Sequence, residues 1–236
     1  MEKAIQSGRI PMSRLDDAVQ RVWRLKQKLG LLNSASPAMQ PLTDQEKDFV
    51  QKTARNIAEA SITLVRDRNR LLPLKSGTIH NVAIIPISSK QTRPGIMNRA
   101  QSTAENLKSV LGKRGINATI HQGLWLDTMP KVAATNDLLI YLVCEVGFQT
   151  WDGGRTQGDT WTYSMNGRDK TIVVSLDNPF HSDEFASADT YINAYDSSDA
   201  VIAAVTRGLF GEITFTGKSP VNLSMFRKFE QDSRAK

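Results

Sequence analysis

Two stretches near the N-terminus space their apolar residues three and four positions apart, which indicates amphipathic helices. The first helix is predicted over 13–29, with Ser13 as its cap and Gly30 ending it in the left-handed conformation. The second begins at Thr43, because Thr43 and Glu46 have the spacing of a capping box. The apolar positions that recur on one side are Leu15, Ala18, Val19, Val22, Leu25 and Leu29 in the first helix and Phe49, Val50, Ala54, Ile57 and Ala58 in the second.

Beyond residue 80 the pattern changes to short, continuous apolar runs that alternate with helical spacing. Continuous apolar strands separated by helices are typical of a parallel sheet covered on both faces. The chain is therefore predicted to be α/β, a three-layer α/β sandwich with a flavodoxin-like, mostly parallel sheet, preceded by two N-terminal helices and a linker. The predicted strands are 61–65, 82–87, 117–120, 138–143, 171–176 and 191–194, and the predicted helices in this half are 98–114, 127–135 and 198–210.

Length and charge narrow the classes of protein. The chain has 236 residues, of which 40% are hydrophobic and 23% charged, as in a folded globular protein. A complete (β/α)₈ barrel alone needs about 250 residues, so a barrel plus a second domain does not fit. The net charge of +6 comes from residues 1–80, which hold 14 Lys and Arg against 8 Asp and Glu. Because no aromatic-interleaved basic stripe accompanies this charge, we expect no nucleic-acid partner.

A single cysteine, Cys144, follows the most apolar run of the chain, so it is predicted to be a small buried hydrophobe. No segment has the 18 or so apolar residues of a membrane span. The first residues lack the apolar core of a signal peptide. Either the protein stays in the bacterial cytoplasm or the given sequence starts downstream of such a signal, so the compartment is left open.

Ready-made chemical motifs fail on their spacing. Lys218 and Ser219 resemble the end of a phosphate-binding loop, but Glu212 stands where that loop needs a glycine. The three histidines are scattered and no cysteine pair exists, so no metal site and no cofactor are expected. A flavodoxin-like nucleotide or phosphate binder is one alternative function. Against it, Pro86 and the serines after the 82–87 strand stand where a glycine-rich turn would be.

Two carboxylates and two tryptophans form the weak candidate site. Glu145 and Asp152 follow the carboxyl end of the 138–143 strand, where ligands bind in open α/β sheets. Glycoside hydrolysis uses a pair of carboxylates, and Trp151 and Trp161 could pack against sugar rings. A stand-alone carbohydrate-binding module built on these tryptophans is the second alternative function. The plainer interpretation is a solvated loop whose tryptophans pack locally or on a neighbouring domain.

Several segments together resemble glycoside hydrolase family 3, specifically its C-terminal α/β sandwich domain. Their order and spacing over nearly the whole chain carry the resemblance, and the stretch from Tyr191 to Glu212 is most similar to the bacterial β-N-acetylglucosaminidase branch. The segments are 5–31, which resembles the exit of the family's barrel, 54–74, which includes Asn69-Arg70-Leu71-Leu72-Pro73-Leu74, Ser175-Leu176-Asp177-Asn178-Pro179-Phe180, and 191–221.

This resemblance implies that residues 1–41 are the last barrel helix and linker and that residues 42–236 are the sandwich domain. The family's nucleophile lies in the barrel, as does this branch's acid/base pair, so no catalytic residue is carried over. The implied parent enzyme is a β-N-acetylhexosaminidase acting on terminal N-acetylglucosamine, in cell-wall turnover and without a cofactor. The implied partner is the N-terminal (β/α)₈ barrel, which this domain braces. Carbohydrate would be contacted at most at the edge of the cleft, and the domain alone is expected to be inactive.

Overall fold

Six helices and six strands make up the described part of the chain. The computed structural model describes residues 1–32, 40–75, 77–87, 94–122, 128–144, 167–182, 185 and 188–221. In chain order the elements are α1 (Glu2–Gln6), α2 (Met12–Lys28), α3 (Asp44–Ser61), β1 (Thr63–Asp67), β2 (Asn81–Ile87), α4 (Pro94–Gly112), β3 (Asn117–Ile120), α5 (Met129–Thr135), β4 (Leu138–Val143), β5 (Thr171–Ser175), β6 (Thr190–Asn193) and α6 (Asp199–Leu209). Two compact units divide the chain, Met1–Lys47 and Asp48–Lys236.

The second unit is built on one sheet with the strand order β1-β6-β5-β4-β2-β3. Strands β2 to β6 run parallel to their neighbours, and β1 pairs antiparallel with β6. Without β1 the order is that of a flavodoxin-like sheet, in which the direction of winding reverses between β2 and β4. The predicted mostly parallel α/β sheet is therefore confirmed.

Both faces of the sheet are covered, as the continuous apolar strands predicted. All six residues of β4 are buried, and they alternate between two cores. Ile140 belongs to the core that also contains residues of α3, α4 and α6. Tyr141 belongs to the core on the opposite face, with Val132 of α5. Helices, sheet and helix form the three layers.

Helix α2 differs from the sequence prediction at its start and agrees at its end. It begins at Met12, because the Pro11 carbonyl already accepts a hydrogen bond from the N–H of Leu15. The predicted cap at Ser13 is therefore wrong, since Ser13 lies within the first turn. At the other end Gly30 has φ +69°, and the N–H of Leu31 donates to the carbonyl of Lys26, which completes a Schellman motif.

The apolar side of α2 carries no buried residue. Four of the apolar positions named from the sequence are exposed. Periodicity shows which side of a helix is apolar but not what covers that side. The exposed positions are Val19, Val22, Leu25 and Leu29.

Helix α3 starts as the capping box predicts. The Glu46 carboxylate accepts a hydrogen bond from the Thr43 N–H at 2.8 Å, and the Thr43 hydroxyl accepts one from the Glu46 N–H at 3.3 Å. The hydrogen bonds from the Thr43 hydroxyl and N–H hold the pKa of Glu46 below its ordinary value. Of the apolar positions named from the sequence only Ala58 is buried, whereas Phe49, Val50 and Ile57 are exposed.

Candidate functional site

The carboxyl ends of five parallel strands meet at one edge of the sheet. In open α/β sheets ligands bind at this edge, at the point where the strand order reverses. Here the reversal lies between β2 and β4. The residues that follow these two strands, 88–93 and 145–166, lie outside the described residues. The part of the edge that can be described follows β5 and β6.

All four site residues predicted from the sequence fall within 145–166. Glu145, Trp151, Asp152 and Trp161 therefore lie outside the described residues and stay predictions. Their position along the chain still places Glu145 directly after Cys144, which follows the last residue of β4.

Three charged side chains come together at the described part of the edge, and we call them the edge cluster: Arg99 on α4, Asp177 after β5 and Asp196 after β6. The Arg99 Nη1 lies 3.9 Å from the Asp177 Oδ1. A hydrogen bond of 2.7 Å from Asn106 Nδ2 to Asp199 Oδ1 ties α4 to the first turn of α6 beside the cluster. The fold thus brings together residues that are up to 97 positions apart in sequence.

The electrostatics of the edge cluster keep Asp196 ionised. Burial opposes ionisation, but hydrogen bonds from the Ser198 side chain and from the backbone N–H groups of Ser197 and Ser198 outweigh it. The Arg99 charge acts in the same direction, so the pKa of Asp196 lies below its ordinary value. At neutral pH Asp196 is therefore a hydrogen-bond acceptor, for example for a hydroxyl, and not a proton donor.

Cys144 lies at the same edge and is chemically inert. It is fully buried, as predicted, and burial raises the pKa of its thiol to about 12, with the negative charge of Asp177 adding to the effect. Arg99 opposes this shift without cancelling it. Because the thiolate is the nucleophilic form, Cys144 is not a nucleophile at neutral pH.

The Ser175 to Phe180 segment forms a self-bonded turn after β5. The Ser175 hydroxyl donates to the Asn178 carbonyl at 2.8 Å, and the Phe180 N–H donates to Asn178 Oδ1 at 2.8 Å. The polar groups of Ser175 and Asn178 thus hold the turn. What the turn presents at the edge is Asp177, and sequence reasoning did not select Asp177, Arg99 or Asp196 as site residues.

Two of the buried polar side chains that the structure describes, Asn193 and Ser182, have no hydrogen-bond partner. Neither amide atom of Asn193, the last residue of β6, is bonded, and neither is the Ser182 hydroxyl. Both residues are fully buried. Within the described ranges no group of three His, Cys, Asp or Glu side chains is placed to hold a metal ion.

Several known proteins are similar to this chain. No family model matches the chain. A β-N-acetylglucosaminidase/β-glucosidase from Cellulomonas fimi is 29% identical over 238 residues, which cover 94% of this chain and 41% of the relative. The solved structure of a β-glucoside phosphorylase, BglX, matches with a TM-score of 0.61 and 25% identity. The match covers 94% of this chain and 40% of the phosphorylase chain. A solved glycoside hydrolase family 3 β-N-acetylglucosaminidase from Paenibacillus sp. has the same fold, with a TM-score of 0.60 and 20% identity, over 94% of this chain and 41% of its own. The homologues and structural neighbours of this chain are members of glycoside hydrolase family 3, and they cover 94% of it.

The chain spans about two fifths of the length of the relatives it matches, which is consistent with the C-terminal α/β sandwich domain of family 3. Among the helices that the structure describes, none is long and apolar enough to span a membrane.

Proposed function

We propose that this chain is the C-terminal domain of a family 3 β-N-acetylhexosaminidase that hydrolyses terminal N-acetylglucosamine, and that the domain braces a catalytic (β/α)₈ barrel. The observation that carries the proposal is the pattern of coverage. A relative named for β-N-acetylglucosaminidase and β-glucosidase activity matches 94% of this chain, but the match takes up only 41% of that relative. In this proposal residues 1–41 are the end of the barrel and a linker, and residues 42–236 are the sandwich domain.

The chemistry of the described residues supports a bracing role over a catalytic one. Retaining glycoside hydrolysis needs one carboxyl group that keeps its proton and a second that attacks the sugar. Asp196 is held ionised, so it cannot serve as the proton donor. The domain alone is therefore proposed to be inactive, with Glu145, Trp151, Asp152 and Trp161 contacting sugar at most at the edge of the barrel's cleft.

Support for N-acetylglucosamine as the substrate comes from the names of relatives. The Cellulomonas fimi protein is named for both β-N-acetylglucosaminidase and β-glucosidase activity and so fits either substrate, whereas the Paenibacillus structure is named a β-N-acetylglucosaminidase. The proposal includes a role in cell-wall turnover and no cofactor.

The test is the hydrolysis of a chromogenic N-acetyl-β-glucosaminide by the purified chain, alone and mixed with a separately expressed family 3 barrel. That barrel would be the part of the Cellulomonas fimi relative that lies outside the match. We expect no turnover by the chain alone, little by the barrel alone, and recovery of activity on mixing.

The matched control replaces the substrate by the corresponding β-glucoside. Recovery with the β-glucoside but not with the N-acetyl-β-glucosaminide would contradict the hexosaminidase part of the proposal. Turnover by the chain alone would contradict the bracing role, and Glu145→Gln and Asp152→Asn would then identify the residues responsible.

A further inference from the structure

The second unit exposes its large apolar side chains in one place. Among its described residues, four such side chains are exposed, and three of them lie on α3. Phe49 is 70%, Val50 53% and Ile57 63% exposed. We call these three residues the α3 stripe. With 100° of rotation per residue they share one side of the helix, while Ala58, which packs into the core, points away from them.

An open pocket of about 520 Å³ adjoins the α3 stripe. Ile57 belongs to both, and the pocket continues past Ala54 to Val201 on α6 and to Pro220. Most of its lining consists of alanine, isoleucine, valine and proline side chains, with Asp196 and Lys218 also present. An apolar stripe beside a pocket with charged groups of both signs has the composition of a protein–protein interface, in which anchors fill pockets within a polar rim.

We propose that the α3 stripe and this pocket are the surface on which the catalytic domain of the parent enzyme docks, and that the pocket receives an apolar side chain of that domain. The inference rests on the proposed function, because the occupant is the domain that the proposed function supplies. Monomeric proteins rarely expose large contiguous apolar patches, and such patches mark sites of interaction with another protein.

Two observations favour a domain of the same protein as the occupant. About three fifths of the length of the relatives lies outside the match. Each relative therefore contains a large further region with a surface of its own. In addition, α3 begins at Asp44, next to the division between the two units after Lys47. A domain attached on the N-terminal side is therefore tethered close to the start of the α3 stripe, which gives it a high effective concentration there.

The part of the pocket at the α3 stripe is apolar. Ile57 and Ala54 present methyl groups there, and the pocket's lining also includes the polar residues Ser61, Tyr195, Asp196, Ser198 and Lys218. The apolar part therefore suits a side chain such as leucine or phenylalanine.

The experiment measures binding of the full chain to the separately expressed barrel by biolayer interferometry, for the wild type and three single variants. Phe49→Asp and Ile57→Asp place a charge on the α3 stripe and should weaken binding at least tenfold each. Ala54→Trp fills the pocket with apolar bulk and should weaken binding to a similar degree. If the surface were only non-specifically adhesive, Ala54→Trp would bind no more weakly than the wild type.

The matched control is Arg55→Gln, which changes the net charge by the same amount as Ile57→Asp but lies on the other side of α3. Its affinity should stay within about twofold of the wild type. Because the substituted apolar side chains are more than half exposed, all variants should keep the wild-type circular dichroism and melting temperature.

The outcomes separate the two proposals. If the wild type binds and restores activity but all three variants bind equally well, this surface is wrong and the proposed function stands. If the wild type does not bind the barrel at all, both the proposed partner and this surface are overturned. A selective loss in the three variants, with Arg55→Gln unaffected, supports the docking surface.

Discussion

The surroundings of Cys144, at the carboxyl edge of the sheet, determine whether its thiol ionises. The residue is shielded from water, and Asp177 adds a nearby negative charge. Both effects disfavour the thiolate, which gives a pKa of about 12. At pH 8 the thiolate fraction of the folded chain is therefore about one in ten thousand.

Alkylation should reveal this directly, since the chain has no other thiol. At pH 8 iodoacetamide should modify the native chain at least a hundredfold more slowly than the urea-unfolded chain, because only the thiolate reacts. The native rate should rise about tenfold per pH unit up to about pH 11, and mass spectrometry measures both rates. A Gln51→Cys, Cys144→Ala variant, with its thiol at an exposed position of α3, serves as the rapidly labelled control. Equal rates in the native and unfolded wild type would contradict the assignment.

The edge cluster shows what sequence reasoning lacks at this scale. Asp177 stands in a segment that the sequence singled out, yet only the packing of α4 brings Arg99 to within 3.9 Å of it. Asp196 is a charged residue between two predicted elements, which is common in any loop. Its ionised state depends on hydrogen bonds with Ser197 and Ser198 that composition cannot predict.

Among the elements, the junction between α3 and β1 is held by a contact with a distant segment. The Gly217 N–H donates to the carbonyl of Ile62 at 3.2 Å. A Cβ at position 217 would overlap the Ser61 carbonyl oxygen and lie 2.5 Å from that of Ile62. These are backbone atoms, so they cannot rotate away as a side chain would.

Gly217→Ala should therefore lower the free energy of unfolding by about 2–4 kcal/mol, as measured by urea denaturation. The control is Gly112→Ala at the end of α4, where a Cβ would meet no atom within 4 Å. That change should leave stability unaltered or raise it by up to about 1 kcal/mol, because alanine is the better helix former. Similar effects of the two substitutions would show that the 217 contact does not constrain the fold.

Element boundaries were predictable where the local signal is strong. The bounds of β3 and β4 match the sequence prediction, because each is an apolar or β-branched run between polar residues. Periodicity identified which residues share the apolar sides of α2 and α3, but it did not show whether those sides are buried, because burial depends on a partner surface that periodicity does not encode. Phe49 and Ile57 are the clearest cases, since both belong to a helix whose Ala58 is buried.

For the whole molecule, the two units should differ in local stability. Helix α2 has no buried residue, whereas every residue of β4 is buried. A helix of 17 residues without packing is marginal in water, and buried central strands open only with global unfolding.

Hydrogen exchange followed by mass spectrometry tests this contrast in the full chain. Peptides covering α2 should exchange at least a hundredfold faster than peptides covering β4, after correction for intrinsic rates. Peptides from α4, which packs on the sheet, serve as the internal reference for a helix with tertiary contacts. Strong protection throughout α2 would contradict the prediction.

The pairing of β1 with β6 has a consequence for synthesis of the chain. Strand β1 comes first in sequence and its neighbour β6 comes last, with Thr63 opposite Asn193. During synthesis about 130 further residues must be added after β1 before its partner β6 emerges from the ribosome. Strand β1 then pairs with β6 at the edge of the sheet. A nascent chain that stops before Thr190 would present β1 without a partner and β5 as an open edge, which is the state most exposed to mispairing.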